Sequence, residues 1–252
     1  MAPFGEKARK YPGGFIDLSQ GTPVDPTPQF IQDAFSSASN SPSYPVVAGT
    51  ASLKDAIRKW SVENLGVTGD FDVLPTIGSK EFIALLPTFL QSKSVLYPKV
   101  AYPTYLVSAM MASAQATPVD IDASSWPKAD LAWLNSPSNP TGQVQTDQEL
   151  KACITWARKN QAILASDECY LSFSDDAKSI LALAEGDNTG LLAVLSLSKR
   201  SNLAGYRAGF VVGDSKLIDQ IRQVRKHAGL MVPLPVQQAM ITALSDEKHV
   251  KE

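Results

Sequence analysis

Residues 196–207 read SLSKRSNLAGYR, and within that stretch Ser196, Ser198, Lys199 and Arg207 offer two hydroxyls, an amine and a guanidinium. The apolar run GLLAVL precedes it and AGFVVG follows, so a cationic, hydroxyl-rich loop joins two apolar strands. An ammonium among apolar neighbours must be paired, neutralised or used, and desolvation drives a lysine toward its neutral, nucleophilic form. Lys199 therefore belongs either to a surface loop or to a reactive site. The hydroxyls and guanidinium suit a phosphate, and the amine suits an aldehyde.

Three other loops have compositions with chemical meaning. In TIGSKE, Gly78 ends an apolar run and Ser79, Lys80 and Glu81 open a helical one. This is either an ordinary helix start with a charged first turn or an anion site, where backbone N–H groups, the Ser79 hydroxyl and Lys80 receive a phosphate. In NSPSNPTG, residues 135–142, prolines on either side of Ser138-Asn139 fix where the Asn139 amide points, which suits a structural turn as well as a bound ligand. In SDECY, Asp167 and Glu168 end the run AILA, so at least one carboxylate approaches a buried sheet edge and needs a cation or a proton donor. A structural salt bridge meets that need, and so does the protonated ring nitrogen of a cofactor.

The elements that position these loops are legible in the hydrophobic pattern. PQFIQDAFSSA and TASLKDAIRKWSVENLG carry apolar residues at three- and four-residue spacing, with Thr50 or Ser52 as caps and Gly66 as a stop. From DVLPTI onward, strand-like runs (SVLYP, ATPVDI, LAWLN, AILASDE, LLAVLSL, AGFVVG) alternate with helical ones (SKEFIALLPTFL, TYLVSAMMASA, QELKACITWARKNQ), and SKLIDQIRQVRKHA and LPVQQAMITALS close the chain as helices. The expected fold class is α/β, a mostly parallel seven-stranded sheet sandwiched by helices, with ligands beyond its strand ends. Residues 1–26, rich in Gly and Pro, read as an N-terminal arm in which only FIDLS has strand character, and residues 27–252 as one large domain.

Composition excludes several classes. The 252 residues, 44% hydrophobic and 19% charged with a formal charge of −2, can bury a sizeable core and carry no basic excess for nucleic acid. Cys153 and Cys169 lack CxxC spacing and only two histidines are present, so no ordinary zinc set is expected and both cysteines read as reduced core residues. The start of the chain has no apolar signal region and no stretch nears the ~20 apolar residues of a membrane span, which predicts a cytoplasmic protein with no membrane partner. GxGxxG, GxxxxGK, HExxH and GxSxG are all missing from the sequence.

A phosphate cradle, a carboxylate for a ring nitrogen and a Schiff-base lysine on one α/β sheet together point to pyridoxal 5'-phosphate. In the order of these motifs the sequence resembles the class I/II aminotransferases of fold type I, whose lysine motif S-x-[SA]-K-x(7,8)-R is matched by Ser196, Ser198, Lys199 and Arg207. The resemblance implies that Lys199 carries the cofactor as a Schiff base and then serves as the base that moves a proton. It implies that Asp167 holds the pyridine N–H, that Asn139 and Tyr170 bond the ring hydroxyl, and that Tyr102 stacks on the ring. Gly78, Ser79 and Lys80 would line the phosphate site, and Gly21 and Asn139 would meet the substrate. Tyr44 matches the position from which a neighbouring subunit reaches the phosphate, which implies a homodimer.

Such enzymes pass an amino group from an amino acid to a 2-oxo acid, usually 2-oxoglutarate, in ping-pong order. Within the group the wording is most similar to bacterial N-succinyldiaminopimelate aminotransferases of lysine biosynthesis, with aspartate and aromatic aminotransferases, carbon–sulfur β-lyases and non-catalytic cofactor-binding modules as alternatives. Relatives continue into a smaller C-terminal domain that carries the arginine for the substrate carboxylate, and here the chain stops at DEKHVKE. A chain without that domain is expected to bind cofactor and to turn over poorly.

Overall fold

The computed structural model describes residues 2–16 and 21–251. In chain order the elements are α1 (Ala2–Arg9), α2 (Gln29–Ser37), α3 (Ala51–Trp60), β1 (Asp72–Ile77), α4 (Gly78–Phe89), β2 (Ser94–Pro98), α5 (Thr104–Met111), β3 (Gln115–Val119), β4 (Leu131–Asn135), α6 (Asp147–Asn160), β5 (Ile163–Asp167), β6 (Leu191–Ser196), α7 (Leu197–Arg200), β7 (Ala208–Gly213), α8 (Ser215–His227), α9 (Leu234–Leu244) and α10 (Lys248–Lys251). The seven strands form one sheet in the order β1-β7-β6-β5-β4-β2-β3. Strands β6, β5, β4, β2 and β3 pair in parallel, while β7 runs antiparallel to both β6 and β1.

Strands β4, β6 and β7 are buried along their whole length, which explains why they read as continuous apolar runs rather than as alternating ones. Their side chains alternate between two cores. Leu192 and Val194 pack with Phe82, Ile83, Leu217 and Ile218 from α4 and α8, whereas Leu191, Ala193 and Leu195 share a core with Ile57, Trp60, Ile154 and Met240 from α3, α6 and α9. The helices on each face thus follow from the period of two along the strands. No helix among the described residues is long and apolar enough to cross a membrane.

Register brings the loops together. Asn135 pairs with Asp167, Asp167 with Val194, Ser196 with Gly209, and Ile77 with Ala208. The C-terminal ends of β1, β4, β5 and β6 therefore lie on one edge of the sheet with the start of β7, and all four chemically suggestive loops open there.

The N-terminal expectation needs correction. Ahead of the Gly- and Pro-rich stretch that starts at Tyr11, Ala2–Arg9 is helical, where Glu6, Lys7, Ala8 and Arg9 favour a helix. In FIDLS, Phe15 and Ile16 are not in a strand, and Asp17, Leu18 and Ser19 lie outside the described residues. The helix expected to run to Gly66 also changes form. Thr50 rather than Ser52 caps it, accepting the Leu53 N–H at 3.2 Å, and residues Ser61–Leu65 form a π turn that ends at Gly66 with φ 66°.

Candidate active site

Asp167 and Glu168 end β5, both buried. Asp167 Oδ2 accepts the Tyr105 hydroxyl at 2.7 Å and Oδ1 accepts the Cys169 N–H at 3.2 Å. Burial pushes the Asp167 carboxyl above its ordinary range, against the lowering effect of the donors from Cys169 and Tyr105. No cationic side chain among the described residues forms an ion pair with it, so the structural salt bridge is not what satisfies this carboxylate.

Around it the other groups form a connected set. The Cys169 thiol lies 4.0 Å from the Val194 carbonyl oxygen, and burial beside Asp167 pushes it up, with the Ser79 side chain at the start of α4 opposing that shift. That helix has no side-chain N-cap bond, because its N-cap residue, Ile77, carries no acceptor; Glu81 accepts the Ile77 N–H at 3.3 Å and pairs with the buried Arg225. The start of α4 is thereby left as a set of uncapped donors facing the loop edge. Gly78, with φ 68°, lies directly against the Arg207 guanidinium, and a Cβ on Gly209 would stand 2.9 Å from Ser79 N. Glycine at both positions lets the lysine loop approach the helix start closely. Arg207 is itself left-handed at φ 57° and donates to Ala204 O at 2.8 Å. Ser196 caps α7, its hydroxyl accepting the Ser198 N–H at 3.1 Å and contacting the Ser198 hydroxyl at 2.9 Å.

Lys199, half-buried, lies in the single turn of α7, and its Nζ donates to the Gly21 carbonyl oxygen. Gly21, Asn139, Tyr170 and Lys199 line one open cleft of about 790 Å³. Burial raises the Tyr170 phenol, with Cys169 and Asp167 adding to the shift. Tyr102 meets Tyr105 edge-to-face at 5.9 Å, and Lys80 Nζ sits 5.8 Å over the Tyr102 ring rather than beside Ser79. Tyr44 is 96% exposed and stands in none of these contacts. The contacts join Gly78 to Arg207, Ser196 to Ser198, Lys80 and Tyr102 to Tyr105 and through it to Asp167, and Gly21, Asn139 and Tyr170 to Lys199 in one cleft.

Three residues were missed by sequence reasoning. Tyr105 is fully buried, bonds Asp167 and stacks on Trp133 at 5.4 Å; a phenol on the apolar face of TYLVSAMM was the signal, since a buried hydroxyl needs a partner. Asn135 donates to Asp167 O at 2.9 Å and accepts the Asn139 N–H at 2.7 Å, so it ties the NSPSNPTG loop to the carboxylate loop. Cys169, expected in the core, instead lies at the site with its N–H on Asp167, while Cys153 is a core residue as expected.

Glu168 turns the other way. Its Oε1 accepts the Ile180 N–H at 2.9 Å, and burial pushes its carboxyl up to about 7 against that bond and the Ser179 hydroxyl. A raised carboxyl binds its proton more tightly when folded, so its stabilisation is complete below pH 4.5 and is lost as pH rises through about 7. Glu168→Gln is expected to remove roughly 2–3 kcal/mol of that loss. In melting curves from pH 5 to 8, the variant should gain several degrees on the parent toward the alkaline end; a gap independent of pH would contradict this.

The residues fit pyridoxal phosphate on this structure's own terms: a buried carboxylate without a cation for a pyridinium, uncapped donors with a guanidinium for a phosphate, and an amine in the adjoining cleft. A sheet of this topology with those groups at its strand ends defines the pyridoxal-phosphate transferase fold. The family described as Aminotransferase class I and II matches residues 14–252, and the chain belongs to it. Members of that family depend on pyridoxal phosphate. The 4-dedimethylamino-4-oxo-anhydrotetracycline transaminase OxyQ of Streptomyces rimosus is 46% identical over 100% of this chain and 72% of its own length. A probable aminotransferase of Mycobacterium tuberculosis is 47% identical over 97% of this chain, which spans 61% of that relative. Among solved structures, a probable N-succinyldiaminopimelate aminotransferase from Thermus thermophilus superposes with a TM-score of 0.90 at 30% identity, covering 98% of this chain and 72% of that one.

Proposed function

We propose that the protein is a pyridoxal-phosphate-dependent aminotransferase that moves an amino group from an amino acid to 2-oxoglutarate in ping-pong order, with N-succinyl-LL-2,6-diaminopimelate as the amino donor. The observation that carries this reading is the pairing of a buried, cation-free Asp167 with the amine of Lys199 across adjoining loops of one sheet edge. When bound, the cofactor supplies an aldehyde that condenses with amines and a ring that takes up the electron pair released at the substrate carbon. Asp167 holds the proton on the ring nitrogen, and Tyr105 and the Cys169 N–H keep its carboxylate aimed. Lys199 Nζ would hold the aldehyde end of the cofactor and, when free, would be the base that takes the proton from the substrate α-carbon.

Ser196, Ser198, Arg207 and the start of α4 with Gly78, Ser79 and Lys80 hold the phosphate, so the far end of the cofactor stays fixed. Asn139 and Tyr170 orient the ring hydroxyl, Tyr102 covers the ring, and Gly21 places its backbone beside the substrate. Residues 27–252 serve as the cofactor-binding domain and 1–26 as an arm. The working unit is a homodimer, in which the 96% exposed Tyr44 completes the phosphate site of the neighbouring subunit.

The donor assignment rests on the likeness to the Thermus thermophilus structure. A second reading, amination of a bulky cyclic ketone, is favoured by the higher identity to OxyQ. Single-turnover assays with N-succinyl-LL-2,6-diaminopimelate, unacylated diaminopimelate, aspartate and tyrosine against 2-oxoglutarate are expected to give the succinylated donor the highest kcat/KM. Equal or better rates with the unacylated donors, or amination of polycyclic ketones alone, would overturn the choice of donor.

A further inference from the structure

The two residues immediately after Lys199, Arg200 and Ser201, reach the C-terminal segment. The Arg200 side chain is only 5% exposed, and Nη2 donates to both oxygens of Glu247 at 2.7 Å. Its guanidinium lies 4.9 Å over the Trp60 ring, and Trp60 Nε1 donates to the same carboxylate at 2.7 Å. Ser201, 1% exposed, contacts His249 Nε2 at 2.9 Å, while His249 Nδ1 meets Asp246 Oδ2 at 2.7 Å. Phe30 closes the far side of that imidazole edge-to-face at 5.7 Å. Asn202 is tied as well, its carbonyl accepting the Thr27 hydroxyl at 2.9 Å.

The Ser201–His249–Asp246 order has the connectivity of a hydrolytic relay. A hydroxyl this buried cannot meet a substrate, so the relay acts as a tie. The Arg200–Glu247 contact is a tie of a more demanding kind. A buried guanidinium must keep its partner, because losing it strands a charge away from water. Three consecutive residues are therefore pinned at their side chains or backbone, and α7 has a single turn in which Lys199 can sit.

We propose that Arg200 and Ser201 are positioning residues: through Glu247 and His249 they fix the backbone from which Lys199 extends, so that the segment 246–251 governs the reactivity of an amine it does not touch. The proposal rests on the reading that Lys199 is the reactive amine. Placement of a reacting group within about an ångström is worth one to two orders of magnitude in rate, which sets the effect to look for.

The test uses the whole chain incubated with pyridoxal phosphate, quenched with borohydride at intervals, and mapped by peptide mass spectrometry for the rate of labelling at Lys199. Glu247→Gln, which keeps one oxygen acceptor for Arg200, and Arg200→Lys, which keeps the charge and loses the planar fork, are each expected to slow labelling roughly tenfold. The double variant should be no slower than the slower single one, since both lose the same contact. Lys178→Gln, which breaks the exposed pair with Asp147, should leave the rate unchanged. Singles that label within about twofold of the parent, or losses that simply multiply in the double variant, overturn the proposal while leaving Lys199 as the reactive amine. A parent labelled at another residue overturns the functional reading itself, and the proposal with it.

Discussion

Lys199→Ala is expected to lower the single-turnover rate with an amino donor by about 10²–10⁴-fold or more and to abolish covalent retention of pyridoxal phosphate through gel filtration. The size follows from the two duties placed on one nitrogen. Nζ is the group that condenses with the aldehyde and the group that carries the proton, so its removal deletes both. The hydroxyls of Ser196 and Ser198, Arg207 and the start of α4 are untouched, and phosphate-driven affinity should survive as reversible binding. A variant that kept the parental rate would remove Lys199 from the chemistry.

Asp167→Asn has effects of opposite sign on function and on stability. A neutral amide cannot hold a proton on a ring nitrogen, and loss of that charge is expected to cost about 3–4 kcal/mol at the transition state, roughly 10²–10³ in rate. Without cofactor the same change relieves the chain of a buried carboxylate that burial already pushes toward its protonated form. The variant is expected to melt above the parent at pH 8 and to lose that advantage at acidic pH, where the parental carboxyl is protonated. Addition of pyridoxal phosphate should raise the melting point of the parent more than that of the variant. Equal stabilisation of both by the cofactor would argue that Asp167 does not face a cationic ring.

The sheet was legible because burial on both faces turns β4, β6 and β7 into unbroken apolar runs, and because each helix between them carries a three-and-four spacing. The site loops were legible for a related reason: Lys199, Asp167 and the Gly78–Ser79 turn place polar groups where apolar strands end. What stayed hidden depends on tertiary contact. The partner of Asp167 is a tyrosine 62 residues earlier, and Arg200 meets Glu247 47 residues later; neither pairing leaves a mark in local pattern. Cys169 looked like a small core hydrophobe and instead gives its N–H to Asp167. The helix at 2–9 was obscured by the neighbouring Pro-Gly-Gly, which ends regular structure only after Arg9.

One measurement tests the central claim most directly. The parent chain mixed with pyridoxal phosphate, its visible spectrum recorded before and after borohydride and its peptides then mapped, is expected to show a visible band that borohydride removes and a single reduced pyridoxyl adduct on Lys199. A label on Lys80 or any other lysine in place of Lys199, or no reducible band at all, would contradict the account.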